Sequence, residues 1–203
     1  LESIGVDVIF TPTVTDVYPE GVEAHTAIHV PVLGDVLCGG ERPGHFDGVC
    51  TVVYKLFEMV KPDVVVFGEK DLQQLLIIKK MVNDLNLAID VQSGPTQREA
   101  DGLALSSRNQ YLTADERAIA PKLWETLQAC AGELRSVAGH EGGSILDVAR
   151  ASLAQAGFAV DYLELRALST LAKSESLSED CALFVAARLG QTRLIDNIQI
   201  AAA

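Results

Sequence analysis

The sequence has no Cys-x-x-Cys pair: its four cysteines, Cys38, Cys50, Cys130 and Cys181, stand far apart. That spacing argues against a zinc ribbon, a dithiol redox motif or a disulfide framework of the secreted type, and it fits a reducing, cytoplasmic setting. No apolar run approaches the roughly 18 to 20 residues of a membrane-spanning helix, and no basic-then-apolar leader is visible. Basic charge is scarce, with 16 Lys and Arg against 28 Asp and Glu and a formal net charge of −12. Such a balance repels polyanions at long range, and no run of Lys and Arg offsets it, so neither nucleic acid nor a membrane is an expected partner. What remains is a chain of 203 residues, 48% hydrophobic and 22% charged, the composition of a soluble globular protein. It is long enough for one large domain or two small ones.

Residues 1–5 read as a helix end with a glycine cap, and 6–10 as a β-branched strand bounded by Thr11-Pro12-Thr13. There is no initiator methionine, and a doubly wound fold builds outward from a βαβ unit that these residues enter late. The expectation is that an upstream segment is absent from this chain. Residues 14–48 form a long irregular region with one extended run near 27–32, and they hold His25, His29 and His45. The His25-x-x-x-His29 spacing would place two side chains on one face only in a helix, and the intervening residues look extended, so structural histidines are expected there.

From Gly48, apolar residues recur at three- and four-residue steps through Val49, Val52, Val53, Leu56 and Val60, a helix closed by Lys61-Pro62. Residues 63–67 are a continuous apolar strand of the kind buried on both faces of a parallel sheet. A second helix carries Leu72, Leu75, Leu76, Lys79 and Val82, and a strand follows at 87–91. Helix, strand, helix, strand with short connections indicates a right-handed parallel α/β sheet. The pattern breaks at 92–96, which divides the chain into domains 1–96 and 97–203. Thr113-Ala114-Asp115-Glu116 has capping-box spacing and starts a helix through about Leu134; another spans 144–155. Strands at 161–166, 182–188 and 192–200, with a turn at Gly190, complete a small α+β domain.

The chain pivots on Phe67-Gly68-Glu69-Lys70-Asp71-Leu72-Gln73-Gln74, a strand-to-helix junction carrying a lysine. A helix N-terminus presents unpaired N–H groups and the positive end of the macrodipole, so an anion site is one reading. A polar turn capped by Asp71 is the other, since no Gly-rich phosphate loop is present. The second charged turn, Leu105-Ser106-Ser107-Arg108, is equally open between a solvated hairpin and the second half of a phosphate cradle.

Five segments together resemble the pantothenate synthetase (pantoate–β-alanine ligase) family. They are Tyr18-Pro19-x-Gly21, Arg42-Pro43-Gly44-His45-Phe46-x-Gly48-Val49, the pivot from Phe67 to Gln74, Asp101-Gly102-Leu103-Ala104-Leu105-Ser106-Ser107-Arg108-Asn109, and Arg193-Leu194-Ile195-Asp196-Asn197. The resemblance implies a Rossmann-like nucleotidyltransferase sheet of the HIGH superfamily, here incomplete at its N-terminus, followed by a small α+β lid domain, in a cytoplasmic homodimer. It implies that ATP and (R)-pantoate condense with Mg²⁺ to pantoyl adenylate and pyrophosphate, and that β-alanine then displaces AMP to give pantothenate.

By the same resemblance Gly68, Glu69, Lys70 and Asp71 line the ATP site, with Lys70 on the phosphates and Asp71 near nucleotide and metal. Leu105, Ser106, Ser107 and Arg108 clasp the phosphates from the second domain, and Lys70 and Arg108 are the catalytic pair. Gln97 falls where the family contacts adenine, with glutamine in place of a small aliphatic residue. Gln74 binds pantoate, and Val49, Val52, Val53 and Leu56 face its gem-dimethyl group. The metal's ligands are not assigned. The family's His-x-Gly-His motif and an upstream pantoate-binding glutamine have no counterpart in these residues, so the chain alone is expected to be inactive. A nucleotidyltransferase that stops at adenylyl transfer, and a non-catalytic remnant that binds nucleotide, are the competing classes.

Overall fold

The sequence folds into two sheets joined through shared packing, in a computed structural model that describes residues 1–136 and 142–202. A three-residue 3-10 turn at Glu2–Ile4 is closed by Gly5 at φ +78°, the expected glycine-capped end. The strand expected at 6–10 does not form: Val8, Ile9 and Phe10 are half exposed or more, and the stretch pairs with no described strand. β-branched composition favours an extended backbone, but a strand exists only where a ladder partner takes up its N–H and C=O groups. The region 14–44 carries two single-turn helices, α1 (Val14–Val17) and α2 (Cys38–Glu41), and the extended run expected near 27–32 enters no sheet.

Helix α3 (His45–Val60) starts three residues before the expected position, because Gly44 at φ +77° lets the chain turn directly into it. Strand β1 (Val64–Gly68), helix α4 (Leu72–Asp84) and strand β2 (Asp90–Gly94) form a parallel βαβ unit, with Val64 opposite Asp90 through Gly68 opposite Gly94. β2 lies about three residues beyond the expected 87–91, so 92–94 continue the sheet instead of breaking it. β1 is buried on one side only. Val65 and Phe67 pack inward, whereas Val64 and Val66 are 50% and 66% exposed, a face the described residues leave uncovered.

The capping box holds as expected: Thr113 Oγ1 accepts from the Glu116 N–H at 3.2 Å while the Glu116 carboxylate accepts from the Thr113 N–H at 2.8 Å. The helix it starts is split into α5 (Ala114–Ile119) and α6 (Lys122–Ser136), on either side of Ala120 and Pro121. A proline lacks the N–H that a continuous helix would need. Helix α7 (Gly142–Gln155) leads to an antiparallel sheet of β3 (Ala159–Ala167), β4 (Cys181–Leu189) and β5 (Thr192–Ile200) in that order, the three strands expected. Helices α6 and α7 cover one face of this sheet with a core that includes Leu127, Leu153, Leu163 and Leu183. Its other face meets α4 and residues 30–57 in a second core that includes Ile77, Ile78, Met81 and Phe184.

Candidate active site

The pivot folds as strand, 3-10 turn (Glu69–Asp71) and helix, and nothing local holds it: neither Gly68 nor Asp71 makes a side-chain cap. Of the two readings of this junction, the one in which Asp71 caps α4 is not what forms. Asp71 stays free to face the space beside the turn, a cavity of about 240 Å³ whose wall also includes Lys70, Gln74, Arg42, His45, Arg108 and Arg193.

Each of these side chains reaches the cavity for a local reason. Lys70 and Gln74 are one helical turn apart at the C-terminal end of β1 and the start of α4, the crevice where open α/β sheets bind ligands. Their neighbour Gln73 also lines the cavity but is buried and spent on the backbone: its Nε2 donates to Leu33 O at 2.8 Å and Val36 O at 2.7 Å, and its Oε1 accepts from the Cys38 N–H at 3.2 Å. Gln73 thus pins α2 against α4. Gly39 in α2 lets the helix lie against the preceding loop, where a Cβ would come within 1.8 Å of Gly34 O. Arg108 arrives on the 3-10 turn Ser107–Tyr111, which Ser106 caps by accepting from the Arg108 N–H at 3.2 Å. The cap occupies the Ser106 oxygen and leaves its hydroxyl proton to donate.

Most lysines and arginines of this acidic chain are held in ion pairs, among them Arg193 to Asp161 at 2.7 Å and Arg98 to Asp196 at 2.6 Å. Arg42, Lys70 and Arg108 have no ion pair among the described residues, and all three line the same cavity. The floor is a tight cluster. Cys38 Sγ lies 3.0 Å from Tyr162 Oη and 3.7 Å from both terminal nitrogens of Arg193. Burial, with Cys38 adding to it, pushes the Tyr162 phenol well above its usual range. Burial also opposes the charge on Arg193, but Asp161, Cys38 and Tyr162 outweigh it and raise its pKa. His45 is shifted the other way: burial and the nearby Arg42, Arg108 and Arg193 hold it below its ordinary value against the pull of Asp71.

Of the residues singled out from sequence, Lys70, Asp71, Gln74 and Arg108 come together in this cavity. Ser106 lines a smaller space that Lys70 and Arg108 share. Gly68, Glu69, Leu105 and Ser107 lie beside these residues without lining the cavity. Gln97 is exposed, donates to Pro95 O at 3.3 Å and accepts from the Leu105 N–H at 2.9 Å. Val49 and Val53 pack against the second core, and neither they nor Val52 lines the cavity. Arg42, His45, Arg193, Asp196 and Asn197 stood in the family-resembling segments without an assigned role, and Tyr162 was not named. The available signal was polarity inside an apolar strand: Arg193, Asp196 and Asn197 interrupt a run that otherwise alternates like a core strand.

A lysine at a parallel strand–helix junction, an arginine from the unit with the antiparallel sheet and a cavity that both line make an α/β arrangement consistent with the nucleotidyltransferase fold. The family model described as Pantoate-beta-alanine ligase matches residues 1–199. The chain is 48% identical over 199 residues to the pantothenate synthetase of Shewanella oneidensis, covering 98% of this chain and 70% of that protein. It is 48% identical over 196 residues to that of Pseudomonas aeruginosa PAO1, covering 97% and 69%. The crystal structure of pantothenate synthetase from Thermus thermophilus superposes with a TM-score of 0.89 at 41% identity, over 97% of this chain and 71% of that one. A pantoate-beta-alanine ligase from Francisella tularensis, solved with beta-gamma ATP and beta-alanine, matches with a TM-score of 0.73 at 32% identity over 97% and 66%. The chain belongs to the pantoate–β-alanine ligase family, a family of enzymes.

Proposed function

We propose that this chain carries the adenylation site for ATP-dependent condensation of (R)-pantoate with β-alanine. A pantoate carboxylate oxygen attacks the α-phosphorus of ATP and pyrophosphate leaves; the β-alanine amine then attacks the pantoyl adenylate carbonyl, AMP leaves, and the amine proton passes to solvent. Adenylation converts a poor leaving group into a good one, so the protein's task is positioning and charge neutralisation. The observation that carries this reading is the convergence of Arg42, Lys70 and Arg108, without ion pairs among the described residues, in one cavity of a chain of net charge −12.

In this reading the unit of residues 1–96 supplies Lys70 to the phosphates, with Gly68, Glu69 and Asp71 beside it. The unit of residues 97–203 closes as a lid, bringing Arg108 as a planar fork and Leu105, Ser106 and Ser107 as flanking contacts, with Gln97 toward adenine. Gln74 holds pantoate, whose gem-dimethyl group meets the apolar face of α3 at Val49, Val52 and Val53. Mg²⁺ riding on phosphates takes one or two carboxylates and keeps several waters. Asp71, on the cavity wall with no ion pair among the described residues, fits that role, and those residues form no cluster of three or more ligating side chains. When bound, the ion supplies neutralisation of phosphate charge. The same reading makes the enzyme a cytoplasmic homodimer; no helix among the described residues is long and apolar enough to cross a membrane. These 203 residues contain no His-x-Gly-His sequence, and a polypeptide limited to them is proposed to be inactive alone.

The full-length enzyme tests the chemistry. AMP formation is expected to require both pantoate and β-alanine, and exchange of labelled pyrophosphate into ATP to require pantoate alone. AMP release that persists unchanged without pantoate overturns the ligase reading.

A further inference from the structure

The turn that carries Lys70 is fixed from the opposite sheet. Asn197, on β5 and only 8% exposed, donates from Nδ2 to Glu69 O at 2.9 Å and to Lys70 O at 3.0 Å. A primary amide nitrogen has two hydrogens, and here each meets one carbonyl of the turn. Asn197 is itself held: its N–H donates to Asp196 Oδ1 at 2.8 Å. The Asp196 carboxylate takes both terminal nitrogens of Arg98, at 2.6 and 2.9 Å, and that guanidinium lies over the Trp124 ring at 3.4 Å. The turn has no side-chain cap of its own at Gly68 or Asp71, and among the described residues these two bonds are the side-chain hydrogen bonds that reach its backbone from outside.

We propose that Asn197 is a positioning residue for Lys70, setting the turn so that the lysine faces the anion across from Arg108. The inference rests on the anion-binding reading of the cavity. A flexible lysine contributes to a phosphate site in proportion to how well its backbone is placed, and supporting hydrogen bonds supply that placement. The same two bonds tie β5 to the βαβ unit, so a purely structural role would also disturb Arg108, on the far side of the cavity. Coupling to Lys70 but not to Arg108 separates the two roles.

The probe is inorganic pyrophosphate, titrated by calorimetry into the full-length enzyme, with thermal unfolding recorded for each variant. The parent enzyme is expected to bind. Asn197→Ala is expected to weaken binding by roughly ten-fold, less than the ~10²-fold that a 1 Å misplacement can cost in catalysis. In the Lys70→Ala background the same change is expected to cost less than about two-fold, and in the Arg108→Ala background its full factor, by the logic of double-mutant cycles. Asn197→Ser keeps one hydroxyl donor and is the milder variant should alanine not fold; the same coupling pattern is expected at smaller size. An equal factor in the parent, Lys70→Ala and Arg108→Ala backgrounds overturns the proposal, as does parental affinity in Asn197→Ala. No binding by the parent enzyme overturns the anion-site reading itself and this inference with it, a result distinct from loss of coupling.

Discussion

Lys70 and His45 face the same cavity with opposite consequences for charge. If Lys70 meets developing phosphate charge, Lys70→Ala in the full-length enzyme lowers turnover by about 10²-fold or more, the scale of removing one preorganised donor to a transition-state charge. Turnover near the parent value would make Lys70 an ordinary turn residue. His45 is held below the ordinary 6.5 by burial and by three guanidiniums. Because its folded pKa is the lower one, the unfolded chain binds more protons in the window between the two values. The contribution of His45 to stability is therefore present above 6.5 and lost as pH falls through the depressed value. His29 is the reverse: its Nδ1 lies 2.9 Å from Asp47 Oδ1, which raises its pKa, so its contribution is present below 6.5 and lost as pH rises through the raised value. NMR titration of the ring protons should give a midpoint below 6.5 for His45 and above it for His29, and Arg42→Ala should move His45 upward in part. A His45 midpoint above that of His29 would remove the basic environment assigned to the cavity. Lys70, Gln74 and Arg108 were legible in the sequence because each sits in a local motif. Arg193 and Asn197 also stood in a motif, but their roles were not legible, because the Asn197 contacts depend on how β5 packs on a turn more than a hundred residues away.

At the scale of elements, the parallel βαβ unit and the antiparallel hairpins were legible from hydrophobic periodicity, and the errors cluster where partners decide. Residues 6–10 have strand composition and no strand to pair with, and 92–94 join β2 despite their polar sequence because β1 presents an edge. The break between α5 and α6 was written in Pro121 and passed over for the stronger capping signal upstream. One contact binds the hairpin of 98–104 to β5: Arg98 pairs with Asp196, whose side chain is 3% exposed, donates to Gly102 O at 3.0 Å and stacks on Trp124. Arg98→Ala leaves a buried carboxylate without its counter-charge, and breaking such a pair costs about 3–5 kcal/mol. Urea unfolding should show a loss of that size. Arg98→Lys should not restore it, since an ammonium neither bridges both carboxylate oxygens nor stacks as a plane. A loss under about 1 kcal/mol would mean that Asp196 finds another partner.

Across the whole molecule, β4 is the wall that both cores share. Cys181, Leu183, Val185, Ala187 and Leu189 face the core under α6 and α7, while Ala182 and Phe184 face the core of α4 and residues 30–57. A strand apolar on both faces transmits the loss of one core to the other, because neither sheet face can stay buried once its cover leaves. The chain is therefore expected to unfold in one transition. Trp124, its only tryptophan, packs against the first core, so its fluorescence reports that side while far-UV circular dichroism reports both. In the parent chain the two urea curves should coincide. Phe184→Ala deletes the largest β4 side chain in the second core, a change that costs about 3–5 kcal/mol for a buried phenylalanine. The two curves should then move together to lower urea, since the loss of one core is passed through β4 to the other. Curves that separate in Phe184→Ala, with an early dichroism phase that Trp124 does not record, would show that the second core, which carries the Lys70 turn, melts while the first stands and that β4 does not couple the two.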